Sequence, residues 1–395
     1  MKPEIHLFII WPKALYKKDQ IVKDIKHKFE VIDECEVIWS NKKFSNNLSR
    51  FYGVNLPDKS FKERHCGKGP FQLLIVHDKN PAYGNRKTTK GIKFINLNLF
   101  DSKKLYRKWT GGGHKIHATN TKEEMHHDLA LLFGMDAEPY FLSNVSSLNK
   151  KYIKSDLAGA NNWKSMQELF YVLNNTIKYV ILRNYEQLPH RYTSKIHSDI
   201  DLLVSDYKEA CYITNSKEVF GLKHRVQNCI KIGEKNIFFD FRYIGDNYYD
   251  ESWEKNILAR RKFNKKGFYV PSDEDYFFSL LYHALVHKPF ISKDYREKLA
   301  NIANDFCIGE TTPELFIDTE SAKCILERFL CKNKYFFTDP YDLSVYYNES
   351  VVGRKRVGAN RKQAIMIKNF FSFLIKPLKL KFIKKFIKKF RIAHF

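Results

Sequence analysis

The sequence predicts an α+β protein with two α/β regions, added helices and an amphipathic tail. Strand-like apolar runs alternate with helical patterns in both regions. Acidic residues interrupt two strand-like runs of the second region, and lysines alternate with apolar residues near residue 395. The chain has 395 residues, of which 44% are hydrophobic and 15% aromatic, so it is long enough to form more than one core.

Composition limits the class of protein. The seven cysteines are scattered without a Cys-x-x-Cys pair, which favours reduced thiols in a cytosolic protein over a disulfide framework. No run reaches the roughly 20 apolar residues that a membrane-spanning helix needs. The first apolar run is shorter than a signal peptide and ends at Pro12.

The first α/β region is expected over residues 1–140, followed by a Ser- and Asn-rich linker over 141–160. Thr121, with Glu124 three residues later, predicts the start of a helix that ends near Gly134. The other expected elements are strands at 5–10, 36–40 and 71–77 and a helix at 17–29.

The second region is expected over residues 161–350, and the tail over 351–395. Ser272 predicts the start of a strong helix over 273–288. The other expected elements are a helix at 163–173, strands at 179–183, 200–204 and 237–244, and further helices within 293–335.

Three aspartates of the second region form a candidate metal site. Asp199 and Asp201 are two residues apart in a strand-like run, so both side chains face the same side of a sheet. Asp240 lies among phenylalanines in a later strand, where a carboxylate is costly to bury unless it is paired or bound to metal. Solvated acids at a strand end are the alternative; the setting of Asp240 favours a Mg²⁺ site.

The second region resembles bacterial nucleotidyltransferases of the DNA-polymerase-β-like superfamily over roughly residues 160–300. The resemblance is carried by ILRNYEQLP (181–189), SDIDLLV (198–204), FFDFRYI (238–244) and VPSDEDYFFSLLYHALVHK (270–288). It implies that Asp199, Asp201 and Asp240 hold Mg²⁺, that Asp240 completes the site or acts as a base, and that ATP or another NTP is the substrate. Arg183 stands where the family has a small phosphate-approaching turn, and we expect it to bind phosphate.

His283 and His287 lie four residues apart on the helix expected at 273–288. A zinc site is one interpretation of this spacing, but no HExxH pattern and no cysteine partner accompany it. Buried, hydrogen-bonded core histidines are the preferred interpretation.

The first region resembles nucleoside diphosphate kinase over roughly residues 4–134. The resemblance is carried by HLFIIWPKA (6–14), HKFEVI (27–32), RFYG (50–53), GPFQLLIV (69–76), NLNLFDSKKLYR (96–107) and GHKIHATNTKEE (113–124). It implies a ferredoxin-like βαββαβ fold, with His117 as the phosphorylated histidine and Arg107 and Arg86 as phosphate-binding residues. A nucleotide-shaped module without phosphohistidine is the alternative.

The tail is strongly basic. Of a net charge of +24, the stretch 354–395 contributes 14 Lys and Arg and no Asp or Glu. Its pattern predicts a helix that lies on an anionic membrane surface; a helix packed on the protein's own core is one alternative, and nucleic-acid binding is a less favoured one. The membrane-facing set is Phe382, Phe386 and Phe390, flanked by Lys384 and Lys388.

These features together predict a nucleotidyl- or phosphoryl-transferase that uses an NTP and Mg²⁺. The basic tail favours a cytoplasmic protein attached peripherally to the inner face of the membrane, acting on a small or lipid-linked acceptor in bacterial cell-envelope polysaccharide synthesis. Two alternatives stay open: a non-catalytic nucleotide-binding or scaffolding protein, and an RNA-directed nucleotidyltransferase.

Overall fold

The computed structural model describes residues 2–88, 91–142, 151–190, 199–305 and 313–356. The predicted membrane-binding residues of the tail lie outside these ranges. Within them, no helix is both long and apolar enough to cross a bilayer.

The chain forms two compact units. The first comprises Met1–Val219, Gln227–Tyr243 and Leu258–Pro271. The second comprises Phe220–Val226, Ile244–Ile257 and the described residues from Ser272 onward.

The first part of the first unit is built on a five-stranded sheet. Its elements are β1 (Glu4–Ile10), α1 (Lys18–Lys28), β2 (Glu30–Ile38), α2 (Phe44–Tyr52), α3 (Phe61–Cys66), β3 (Phe71–Asp78), β4 (Tyr83–Thr88), β5 (Gly91–Asn96), α4 (Leu97–Trp109), β6 (Ile116–Ala118), α5 (Lys122–Phe133), α6 (Glu138–Phe141) and β7 (Tyr152–Lys154).

The strand order of this sheet is β6-β1-β3-β2-β7. β1 pairs antiparallel with β3 and with β6, β2 pairs antiparallel with β3, and β7 joins the edge parallel to β2. When β7, the helices α2 and α3 and the hairpin β4–β5 are treated as additions, the chain order βαββαβ and the strand order agree with the predicted ferredoxin-like arrangement. The hairpin β4–β5 stands apart from this sheet as a two-stranded unit.

A second five-stranded sheet completes the first unit, with strand order β10-β11-β12-β9-β8. β9 and β12 are parallel neighbours, and the other pairs are antiparallel. The elements of this part are α7 (Met166–Thr176), β8 (Tyr179–Ile181), β9 (Asp199–Val204), α8 (Tyr207–Thr214), β10 (Lys217–Glu218), β11 (Gln227–Ile232), β12 (Lys235–Tyr243), β13 (Lys262–Asn264) and β14 (Phe268–Val270).

The two sheets share one hydrophobic core. Alternate residues of β1, such as Leu7 and Ile9, belong to the same buried cluster as Leu202 of β9 and Phe239 of β12. Between them α5 packs against α7. The opposite face of the first sheet is covered by α1 and α4, whose apolar side chains form a smaller core with Phe8 and Ile10.

The described part of the predicted linker is integrated into this unit. Residues 152–154 form β7, and Leu157 is buried in the shared core. Asp156 accepts hydrogen bonds from the backbone and hydroxyl of Ser40 and from Asn47. Within the described part of this stretch, Asp156 therefore serves as a hydrogen-bonding partner of the first region. Both sheets thus lie in the first compact unit. The assignment of 1–140, 161–350 and 351–395 to separate functional domains stays a prediction.

The second unit is mainly helical, and its central helix is buried. Its elements are α9 (Glu251–Ala259), which begins in this unit, α10 (Asp273–Val286), α11 (Lys293–Asp305), α12 (Thr319–Asn333) and α13 (Glu349–Val352). Helix α10 packs against α11 and α12. His283 contacts the Tyr248 hydroxyl at 2.6 Å, and His287 contacts the Tyr248 carbonyl at 3.1 Å. Their prediction as core histidines is confirmed, since both are buried.

Two predicted helix starts are also confirmed. The Thr121 hydroxyl accepts a hydrogen bond from the backbone N–H of Glu124, and the Ser272 hydroxyl does the same for Asp275. These caps satisfy backbone donors that the first turn leaves unpaired.

Candidate functional site

Asp199, Asp201 and Asp240 lie on one face of the second sheet, and we call them the aspartate row. In the parallel pair of β9 and β12, Asp240 is in register with Asp201, and Phe238 with Asp199. Residues opposite each other on neighbouring strands point to the same side, and so do residues two apart on one strand. The three carboxylates therefore project from the same face.

The other face of the same strands explains why the aspartates point this way. Ile200, Leu202, Phe239 and Phe241 alternate with the aspartates and are buried in the shared core. Because the period of a strand is two, burying these apolar residues forces the acids to the opposite side. The aspartates are only partly buried there.

Two members of the aspartate row accept short hydrogen bonds from neighbouring strands. Arg183, just after β8, places Nη2 2.6 Å from Asp201 Oδ1. Gln227, the first residue of β11, donates from Nε2 to Asp199 Oδ2 at 2.7 Å. The predicted phosphate-binding arginine is therefore part of the site, bound to a carboxylate.

Asp240, the third member of the aspartate row, has an arginine as its cationic neighbour. Arg242 Nη2 lies 3.7 Å from Asp240 Oδ2, and the Arg242 side chain is 5% exposed. Carboxylate oxygens are the donors that Mg²⁺ prefers. As they lie, however, the residues do not form a metal centre: among the described residues, no three His, Cys, Asp or Glu side chains are arranged to hold a metal ion. The predicted metal role of Asp199, Asp201 and Asp240 stays a prediction.

His117 forms a second candidate site in the same unit. It is the middle residue of β6, opposite Ile9 of β1, and so faces the shared core and α5. Its Nε2 lies 2.6 Å from Oδ2 of Asp128 on α5. The other carboxylate oxygen of Asp128 lies 2.9 Å from Nδ1 of His127. One buried carboxylate thus bridges two imidazoles.

The electrostatic surroundings of Asp128 and His127 favour the charged form of each side chain. Burial acts to raise the pKa of Asp128, but the charges and hydrogen bonds of His117 and His127 outweigh it and hold that pKa below its usual value. Burial acts to lower the pKa of His127, but its contact with Asp128 outweighs burial and raises it. Asp128 is therefore an anion that orients both rings.

Two aromatic rings lie beside His117, and a lysine lies over one of them. The rings of Phe51 and Tyr52, at the end of α2, lie with centroids 5.3 and 5.8 Å from the imidazole. Burial raises the pKa of the Tyr52 phenol well above its usual value, so the hydroxyl stays protonated. Lys62 Nζ lies 3.0 Å from the Tyr52 ring centroid, which brings a cation to this cluster.

The two arginines predicted for this site are placed differently. Arg107, in the last turn of α4, donates from Nε to the carbonyl of Ile116 at 2.9 Å, directly before His117. Burial lowers its pKa. Arg86, on β4, forms an ion pair with Asp101 at 3.0 Å. Of the two arginines, therefore, Arg86 is paired with Asp101, and only Arg107 contacts the strand that carries His117.

Trp11 at the end of β1 is fully buried. Its ring packs on Phe71 and Trp39, with centroids 4.7 and 5.7 Å away. This position therefore contributes packing to the shared core.

The structure also reveals site residues that sequence reasoning missed. Asp128 contacts the predicted residue His117, and Gln227 contacts the predicted residue Asp199. His127 in turn contacts Asp128, and Lys62 lies over the ring of Tyr52. The HHD triplet at 126–128 was the only signal available for Asp128 and His127. Asp128 lies on a helix, and its partner His117 lies on a strand 11 positions earlier. No local spacing rule relates two such residues, so this contact could not be predicted from the sequence.

Comparison with known proteins gives little. No protein-family model matches the chain, and no curated protein matches it. Among solved structures, the chain is similar to the nucleoside diphosphate kinase of Aquifex aeolicus. That similarity has 15% sequence identity and a TM-score of 0.22, and covers 32% of this chain and 93% of that one.

Proposed function

We propose that this protein is a nucleotidyltransferase that uses an NTP and Mg²⁺ at the aspartate row. The observation that carries the proposal is the in-register placement of Asp201 and Asp240 on parallel strands, with Asp199 on the same face. Three carboxylates on one sheet face, beside a buried arginine, are the types of side chain that bind a divalent cation and a phosphate group.

The chain's own residues would divide the work as follows. Arg183 binds and orients the phosphates, and Asp240 accepts the proton of the acceptor hydroxyl. The acceptor oxygen forms a bond to the α-phosphorus as the bond from that phosphorus to the bridging oxygen breaks, and pyrophosphate leaves. Bound Mg²⁺ would neutralise the charge that collects on the phosphates.

The test compares binding and transfer in matched variants. Wild-type protein is melted with Mg²⁺ and each NTP in turn, and is then incubated with α- or γ-labelled NTP and a bacterial lipid extract. We expect a rise in Tm with one or more NTPs and movement of the α label. Asp199→Asn/Asp201→Asn should lose the Tm shift and lower transfer by about 10² or more.

Glu234→Gln is the matched control. Glu234 lies in the turn between β11 and β12, its side chain is 89% exposed, and its contact is a surface pair with Lys231. The control removes a carboxylate from the same strand pair and should behave as wild type. A Tm shift that survives the double aspartate substitution would show that the nucleotide binds elsewhere.

A second candidate reaction is phosphoryl transfer through His117, favoured by its hydrogen bond to Asp128. If Nε2–H donates to Asp128, the lone pair of Nδ1 is available. Nδ1 would form a bond to the γ-phosphorus, and the nucleoside diphosphate would leave. The γ-label arm of the same experiment tests this: the protein should acquire an acid-labile label that His117→Asn abolishes.

The setting of the reaction is part of the proposal and is supported by the tail sequence. A lysine-rich amphipathic segment at 376–395 suits attachment to an anionic membrane surface. A lipid-linked acceptor in cell-envelope polysaccharide synthesis would then meet the enzyme at the inner face of the membrane. Removing 376–395 should abolish pelleting with anionic vesicles, and pelleting by the truncated chain would reject the anchor.

A further inference from the structure

The hairpin β4–β5 has one face that is anchored to the rest of the first unit. Residues opposite each other on its two strands share a face, and so do residues two apart on one strand. Ile95 and Arg86 lie on the same face by this rule. Ile95 is 4% exposed, and Arg86 forms an ion pair with Asp101 of α4. This inner face therefore holds the hairpin against α4.

The opposite face, which we call the outer hairpin face, presents aromatic and apolar side chains to solvent. Its members are Tyr83, Asn85, Lys87, Ile92 and Phe94. Ile92 is 74% exposed and Phe94 is 66% exposed. The rings of Tyr83 and Phe94 stack, with centroids 5.6 Å apart and an angle of 29° between their planes. The Tyr83 hydroxyl donates to Glu4 at 2.8 Å, which fixes this ring at its edge.

The same hairpin is strongly basic. Residues 79–100 contain five Lys and Arg and no Asp or Glu. Lys87 of the outer face and Lys93 of the inner face are both exposed, and neither has a carboxylate partner among the residues that the structure describes. Each can therefore bind an anion without breaking an existing ion pair. Exposed rings beside such lysines complement a ligand that has flat rings and a repeating negative charge.

We propose that the outer hairpin face binds single-stranded nucleic acid. Bases stack on Phe94 and Tyr83, Lys87 contacts a phosphate on the same face, and Lys93 contacts phosphates that pass the edge of β5. Every base has a flat π face, so this mode of binding tolerates any sequence. The proposal is independent of the aspartate row and of nucleotidyl transfer.

Two other occupants fit this face less well. A hairpin enters a bilayer by its tip, whereas Tyr83 lies at the base, in register with Asn96 at the start of α4, and Phe94 lies nearby. Thr88 and Gly91, the last pair toward the tip, carry no large apolar side chain. A second copy of the chain would bring the same basic strands against each other, and like charges on neighbouring strands repel.

The test measures binding of the full chain to a fluorescent single-stranded oligouridylate of about eight nucleotides by anisotropy. Phe94→Leu keeps an apolar side chain but removes the ring, and should weaken binding at least about fivefold, the lower end of what stacking contributes. Phe94→Trp keeps a ring and should bind at least as tightly as wild type. Binding to a duplex of the same length should not change in Phe94→Leu, because paired and stacked bases offer no free face.

The two lysines are tested through the salt dependence of binding. Lys87→Gln/Lys93→Gln should reduce the slope of log K against log salt by about 1.4, at about 0.7 for each phosphate contact of a single strand. Lys23→Gln/Lys217→Gln removes the same charge from exposed positions of α1 and β10, and should keep the wild-type slope. Phe290→Leu is the control for the ring: Phe290 is 72% exposed, lies in the second unit and should not affect binding.

The basic tail makes a site-specific readout necessary. With 5-iodouracil in the oligonucleotide, light should crosslink the strand to Tyr83 or Phe94, and mass spectrometry of the peptides locates the crosslink. Crosslinks confined to 354–395 would overturn the proposal, and so would equal oligonucleotide binding by wild type and Phe94→Leu. If Phe94→Leu lost only vesicle binding or only self-association, the face would instead serve a membrane or a second copy. If Phe94→Leu fails to fold, the crosslink and the salt slope of the lysine variant decide.

Discussion

Asp128 shows how one buried carboxylate organises a site. It is 4% exposed and lies between two imidazoles. Burying an anion is costly unless charged or hydrogen-bonded partners compensate. The sequence predicted no role for His127, but His127 provides one of these partners. It therefore contributes to stability as well as to the orientation of Asp128 toward His117.

The His127–Asp128 contact predicts a pH-dependent contribution to stability. The raised pKa of His127 means that its contribution is fully present below its usual 6.5 and is lost as the pH rises through the raised value. The lowered pKa of Asp128 means that its contribution is present above 3.8 and is lost at lower pH. Between pH 4 and 6.5, His127→Gln should lower the free energy of unfolding by about 1.5–3 kcal/mol, the value of a charged hydrogen bond.

Urea unfolding at several pH values between 4 and 9 measures this difference. The loss should shrink as the pH rises above 6.5. His77→Gln is the control, because the His77–Glu30 pair is exposed and contributes little. A difference between wild type and His127→Gln that does not change with pH would contradict the assignment.

At the scale of elements, the sequence predicted the helices and strands whose own residues show a clear alternation or a capping pattern. The alternation around Asp201 and Asp240 predicted β9 and β12, and the caps at Thr121 and Ser272 predicted α5 and α10. Helix α2, strand β7 and the hairpin β4–β5 were missed. The three residues of β7 become a strand only because β2 offers an edge, and tertiary pairing of this kind leaves no local pattern.

The same reasoning applies to the candidate site. The positions and common face of the aspartate row follow from strand periodicity. The contacts of Gln227 with Asp199 and of Asp128 with His117 depend on which elements become neighbours. Sequence spacing contains no information on those contacts.

The cap of α5 predicts a measurable loss of stability. Thr121 accepts from the N–H of Glu124, whose carboxylate accepts in turn from the backbone of Asn120. Thr121→Ala should lower the free energy of unfolding by about 1 kcal/mol. Thr121→Ser keeps the hydroxyl and should be close to wild type in urea unfolding. Equal stability of the Ala and Ser variants would show that the cap does not contribute.

At the scale of the whole molecule, both sheets depend on one interior. Arg50 of α2 is buried and donates to the carbonyls of Tyr212, Ala158 and Ile213, which ties the first region to the second within the same unit. The apolar face of α5 packs on α7. Neither sheet has a complete core of its own.

This shared core predicts that residues 1–140 will not fold alone. The fragment would lose the part of the shared core that α7 and the second sheet supply, at about 1.5–3 kcal/mol for each apolar side chain that becomes fully exposed. Circular dichroism and urea unfolding of the 1–140 fragment should show no cooperative transition under conditions in which the full chain unfolds cooperatively. A cooperative transition in the fragment would mean that the first sheet is an independent domain.

The common interior also affects how such a chain can be inherited. A recombination event that exchanged one sheet for an unrelated one would leave the other without a complementary apolar surface. Related chains in genomes should therefore retain both regions in this order, even where the acids of the second region or the imidazoles of the first have been replaced.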